Sequence, residues 1–105
     1  MKILLDECLP LDLRHSFPEH ETHTAQWAGF KGKKNGELLT LAEAAGYGAL
    51  LTVDQGLAHH QLAGRRLSIV LIHSRTNQLE DLLPLVAAIS RTLDTIQPGE
   101  AMVVP

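Results

Sequence analysis

The chain has no excess of basic residues: nine lysines and arginines stand against twelve aspartates and glutamates, a formal net charge of −3 with the histidines neutral. That balance excludes the broad basic face by which many proteins hold phosphate backbones, so any nucleic-acid contact has to come from a local patch. Cysteine occurs once, as Cys8. An internal disulfide and a zinc cage of cysteines are therefore excluded, in agreement with a reducing compartment. No apolar run approaches the roughly eighteen residues that suggest a membrane helix, so no membrane partner is expected. The opening MKILLDECLP places Asp6 and Glu7 where a signal peptide would continue its apolar stretch, and a cytoplasmic location follows as the expectation. No lysine follows Lys34. A phospho-acceptor receiver domain, which needs a late-chain cation for the phosphoryl charge, is disfavoured on that ground.

What is present is a string of short apolar segments over 105 residues, enough for one core and a single domain spanning 1–105. Lys2 to Leu5 reads as a buried strand that stops at Asp6-Glu7. Pro10 to Phe17 suits a helix, with Leu9, Leu13 and Phe17 four apart and Pro18 after it. His20 to Ala25 is threonine-rich and reads as a short strand. A loop follows at Gly29 to Gly36, with three glycines and three lysines. Leu38, Leu41, Ala42 and Ala45 then trace a helix face, with Asn35 expected as its cap and Gly46 as its left-handed exit. Ala49 to Val53 is a second buried strand, ending in Asp54. A short helix is expected through Leu57 to Leu62, a strand from Leu67 to His73, a helix from Leu79 to Leu93 that begins late or kinks at Pro84, and a last strand at Ala101 to Val104. Strand and helix alternate throughout, which predicts an α/β fold: a three-layer α/β/α sandwich on a mostly parallel sheet.

The strand-then-acid pattern occurs twice, at Leu5-Asp6 and at Val53-Asp54. In a parallel sheet, ligands lie outside the carboxyl ends of the strands, so both aspartates are expected at the binding edge. Gathered carboxylates repel unless a hard cation joins them, and Mg²⁺ or Mn²⁺ suits oxygen ligands. Glu37, in the first turn of its helix, is a third candidate and Glu7 a fourth. Each has a plainer account: Asp54 as a helix cap, Glu37 as a partner of the helix dipole, Asp6 as an acceptor for turn amides. Lys33, Lys34, Arg65 and Arg66, with Lys31 and Arg14, are the cations that could meet a phosphate backbone; solvated loop charge explains them as simply. The neighbours His59 and His60 would point roughly 100° apart on a helix and are read as surface residues. Cys8 and His73 read more readily as structural than as ligands.

LLDECLP at 4–10, NGELLTLAEAAG at 35–46 and LLTVDQGL at 50–57 together resemble the three blocks of the small PIN-like domains, presumed toxin components of bacterial and archaeal toxin–antitoxin pairs. The resemblance covers nearly the whole chain. It implies a PIN-like fold, an endoribonuclease activity using Mg²⁺ or Mn²⁺, and Asp6, Glu37 and Asp54 as catalytic metal-site carboxylates, with Glu7 beside them and Thr52 near the substrate. Lys33, Lys34, Arg65 and Arg66 would hold the RNA. Cys8 stands where asparagine is usual, Asn35-Gly36 where many relatives have another acid, and His73-Ser74-Arg75 where full nucleases have a fourth one. These departures keep a second expectation open: a domain of little or no catalytic activity that binds a cognate antitoxin protein or a second copy of itself, as a homodimer, through the surface around Trp27 and Phe30.

Overall fold

The computed structural model describes residues 1–59 and 62–105. Its strands are β1 (Lys2–Leu5), β2 (Glu21–Thr24), β3 (Ala49–Thr52), β4 (Ser68–Ile72) and β5 (Ala101–Val104). They form one sheet in the order β2-β1-β3-β4-β5, and every pairing is parallel. The residues of β3 and β4 are all buried, which is why these strands read as unbroken apolar runs: both faces of a parallel sheet are covered.

Alternate positions feed two cores. Ile3, Leu5, Leu51, Val70 and Ile72 join Leu13, Phe17, Ile89 and Leu93 on one face. Leu4, Leu50 and Ile69 join Leu38, Leu39 and Ala42 on the other. The period-two alternation of side chains along each strand thus divides one apolar run between two layers.

The second core is roofed by α1 (Asn35–Ala44), which buries Leu38, Leu39 and Ala42. Each fully buried leucine stabilises the fold by about 1.5–3 kcal/mol relative to exposure. The helix start differs from the sequence expectation. Lys34 occupies the cap position without a side-chain cap bond, and Asn35 is the first helical residue, with φ 52°. Asparagine tolerates this left-handed conformation because its short polar side chain can bond locally. Gly46, with φ 87°, closes the helix as anticipated.

The first core is covered by a 3-10 stretch, Leu11–Ser16, in place of the helix expected over Pro10–Phe17, and by the segment after β4. There Pro84 interrupts the helical ladder, because it lacks a backbone N–H. The result is α2 (Leu79–Leu82), a 3-10 turn at Leu83–Leu85, and α3 (Val86–Thr95). A further 3-10 turn, Gln55–His59, begins before the short helix expected from Leu57. His60, with Gln61, lies outside the described residues, so the remainder of that segment and the second of the paired histidines do too. No helix among the described residues is long and apolar enough to cross a membrane.

The chain runs from β1 outward to β2, returns past β1 to β3, and continues outward to β4 and β5. Its direction of winding therefore reverses between β1 and β3. Loops leaving those two strands part to opposite sides of the sheet and open a crevice at their carboxyl ends.

Candidate functional site

Asp6 follows β1 directly, and its backbone N–H extends the ladder by donating to the Leu51 carbonyl at 2.9 Å. Its side chain is held between the two strands. Oδ2 accepts a 2.7 Å hydrogen bond from the Thr52 hydroxyl, and Oδ1 accepts one of 2.8 Å from the Glu7 amide. Only 8% of Asp6 is exposed, and Thr52 is fully buried. The Thr52 oxygen in turn accepts the Asp54 amide at 3.0 Å. One hydroxyl therefore links both aspartates, donating to the first and accepting from the backbone of the second. Asp54 Oδ1 accepts the Gly56 amide at 2.9 Å, a local turn that starts the 3-10 segment after β3.

These groups line a cleft of about 270 Å³ at the switch point. Asp6, Glu7 and Cys8 come from the β1 loop, Asp54 from the β3 loop, and Lys33, Lys34 and Asn35 from the approach to α1. Glu7 also ties the lysine loop down, because its Oε2 accepts the Gly32 amide at 3.3 Å. Cys8 lies beside Asp6, its Sγ 3.6 Å from Oδ2. Burial pushes the Cys8 thiol above its ordinary pKa of 9.0, and the Asp6 charge acts in the same direction.

The remaining candidates are distributed unevenly. Glu37 is not among the residues lining the cleft; its carboxylate lies 3.9 Å from the Lys33 ammonium, one helical turn away. Arg65 and Arg66 precede β4 and so lie at the amino ends of the strands, the edge opposite Asp6 and Asp54. There Arg65 reaches the Glu43 carboxylate at 3.5 Å, and the Arg66 amide donates to the same group. Thr52 has no exposed surface and acts through the aspartates it orients. Asn35, expected as a helix cap and standing where the resemblance puts another acid, lines the cleft. The Asn35-Gly36 pair carried the signal of a left-handed entry, because asparagine is among the few residues that tolerate that conformation. Trp27 and Phe30 also separate: Phe30 packs against the second core, while Trp27 is 70% exposed.

Among the described residues, no three of His, Cys, Asp and Glu are grouped as a ready-made metal cage. The acceptor chemistry still fits a hexahydrate-forming cation. Each Asp6 oxygen accepts one strong hydrogen bond, and the Asp54 carboxylate accepts one in total among the described residues, out of about four acceptor sites per carboxylate. Mg²⁺ keeps several waters and is commonly bound through one or two carboxylates. Compared with protein-family models, curated proteins and solved structures, the chain gives no significant match.

Proposed function

We propose that this chain is a PIN-like, metal-dependent endoribonuclease and the toxin component of a toxin–antitoxin pair. The observation that carries the hydrolase reading is the meeting of Asp6 and Asp54 in one cleft at the switch point, with Lys33 and Lys34 among its lining residues. Asp6 and Asp54 would hold Mg²⁺ or Mn²⁺, with Glu7 next to them, and the bound ion would supply an activated water and stabilise charge on the leaving oxygen. Thr52 keeps the Asp6 carboxylate and the Asp54 backbone in register. Lys33 and Lys34 offset the negative site and hold backbone phosphates, which makes binding salt-sensitive. The toxin assignment rests on the three sequence blocks, and the antitoxin is a protein partner of the same reading.

The thin ligand set supports a second reading, in which the domain has little activity and serves as a binding module for its antitoxin. The exposed Trp27 suits that reading as well. Cleavage of RNA by the purified chain with Mn²⁺ or Mg²⁺, beside Asp6→Asn/Asp54→Asn checked for folding by circular dichroism, separates the two. Cleavage by the native chain alone supports the nuclease; intact RNA in both, with metal still bound by the native chain, supports the binding module.

A further inference from the structure

A second concavity, of about 260 Å³, lies beside β2 at the edge of the sheet. Its wall includes Leu11 and Arg14 from the 3-10 stretch, Thr22 and His23 from β2, and Trp27 from the turn beyond. This is somewhat below the roughly 300–1,000 Å³ of pockets that take drug-sized ligands, and suits a single heterocycle. The indole of Trp27 packs against the His23 imidazole with centroids 4.0 Å apart and planes tilted by 31°, yet the residue is 70% exposed. His23 is itself fixed by the Tyr47 hydroxyl at 2.9 Å and lies 3.4 Å from the Glu21 carboxylate. The imidazole against which Trp27 packs is therefore held in place before any ligand arrives. Thr22 adds a buried hydroxyl with no hydrogen-bond partner among the described residues. Arg14 spends one N–H on the Leu11 carbonyl and lies 3.6 Å from Asp12, leaving the rest of its donor fork unused among the described residues.

The two concavities are joined. A shallow depression between them shares Asp6 and Glu7 with the acidic cleft, and shares Leu11 and Thr24 with the edge pocket. A groove thus runs from Asp54 past Asp6 to Trp27, along the carboxyl ends of β3, β1 and β2.

We propose that this edge pocket is a nucleotide subsite of the same site, which takes single-stranded RNA by stacking one unpaired base on Trp27 and holding an adjacent phosphate with Arg14. The inference rests on the nuclease reading of the acidic cleft and adds to it a base- and phosphate-binding subsite at the sheet edge. Stacking on an aromatic surface requires an unpaired base, so a duplex is refused. The rival occupant, a protein strand added to the sheet, would meet an edge only four residues long, Glu21–Thr24, with few backbone groups to offer. Continuity with the acidic cleft favours the polynucleotide.

Trp27 is the single tryptophan, so its emission reports this pocket alone. The test is titration of the native chain, in EDTA to prevent cleavage, with a short single-stranded oligoribonucleotide and with its duplex, following Trp27 fluorescence and, separately, the anisotropy of labelled RNA. The expected result is saturable quenching by the single strand at least tenfold tighter than by the duplex. Trp27→Ala weakens single-strand binding about 5- to 150-fold, the range set by ~1–3 kcal/mol of stacking per base, while Trp27→Phe retains most of it. Arg14→Gln lowers the salt dependence by about one phosphate contact. With metal present, Trp27→Ala raises KM for cleavage and leaves kcat nearly unchanged. Trp27→Ala binding and cutting RNA like the native chain overturns the subsite and leaves the nuclease reading intact. A native chain that neither binds nor cuts RNA removes both. Emission that shifts with protein concentration but not with RNA assigns the pocket to a second copy of the chain and also overturns the proposal.

Discussion

Replacing Thr52 by valine removes one oxygen and leaves the shape of a fully buried side chain almost unchanged. Three hydrogen-bond contacts end with it: the 2.7 Å bond to Asp6 Oδ2, the 3.0 Å bond from the Asp54 amide, and a weaker 3.7 Å contact with the Cys8 thiol. A hydrogen bond to an ionised group contributes about 1.5–3 kcal/mol, and a buried carboxylate that loses its donor suffers most of that as desolvation. Asp6 is 8% exposed, so water replaces the hydroxyl poorly, whereas the Asp54 amide belongs to an exposed residue and recovers part of its loss. The expected cost of Thr52→Val is about 2 kcal/mol, set mainly by the Asp6 bond. For a domain of this size, that lowers Tm by roughly 8–16 °C, at about 4–8 °C per kcal/mol. Thr52→Ser is the control: it keeps the hydroxyl and loses one methyl, about 1 kcal/mol. Urea denaturation followed by circular dichroism measures both. A valine variant within about 0.5 kcal/mol of the native chain, or a serine variant less stable than the valine one, would refute the claim that the hydroxyl holds the two acidic strand ends together.

The raised pKa of Cys8 means that the unfolded chain loses the thiol proton first. Its stability contribution is therefore complete below the ordinary thiol pKa and declines as pH rises through it and beyond, so Cys8→Ala flattens part of the alkaline limb of a pH–stability profile. Alkylation by iodoacetamide at mildly alkaline pH is slower in the folded chain than in urea. Asp81 shows the opposite sign: the Thr76 hydroxyl, aided by Arg75, holds its carboxyl below the ordinary value of 3.8. The stability it adds is present above the unfolded pKa and lost as pH falls through the folded one, so Asp81→Asn narrows the difference in urea midpoint between pH 7 and pH 3. Asn35, at φ 52°, accepts glycine within about 0.5 kcal/mol but loses roughly 1–2 kcal/mol on replacement by valine, because a β-branched residue is poorly tolerated in the left-handed region. Leu51→Ala, in the fully buried β3, costs about 2–5 kcal/mol in the same urea experiment.

The strands were legible because covered parallel strands show as short apolar runs, and Leu5-Asp6 and Val53-Asp54 mark where two of them leave the core. The position of Pro84 likewise announced the break between α2 and α3. The phase of α1 was less legible. Its entry depends on a single left-handed residue, Asn35, and that local rotation decides that Asn35 lines the cleft while Glu37 pairs with Lys33. Helical periodicity gives the buried stripe but not which polar residue of the first turn meets a neighbouring loop. The place of Arg65 and Arg66 follows from topology alone, since a loop that enters a parallel strand lies at the edge opposite a loop that leaves one. Composition could not supply that, because it counts cations without regard to chain direction. Thr52 carried no signal of its own as a link: a threonine ending a strand is ordinary until the register of β1 on β3 puts it opposite Asp6.

The central position of β1 has a consequence for how the chain is made. Ile3, Leu4 and Leu5 leave the ribosome well before one of their two flanking strands, β3, which is complete only once Thr52 has been added. At about 5–20 residues per second, this leaves one side of β1 without its neighbour for several seconds. During that interval β2 can pair with β1 on the other side, but the pair has neither α1 nor β3 to shield it. The nascent chain therefore displays an unpaired apolar edge from the synthesis of β1 until that of β3. Interruption anywhere before β3 yields a fragment suited to aggregation or chaperone capture, with Asp6 present but without the hydroxyl that fixes it.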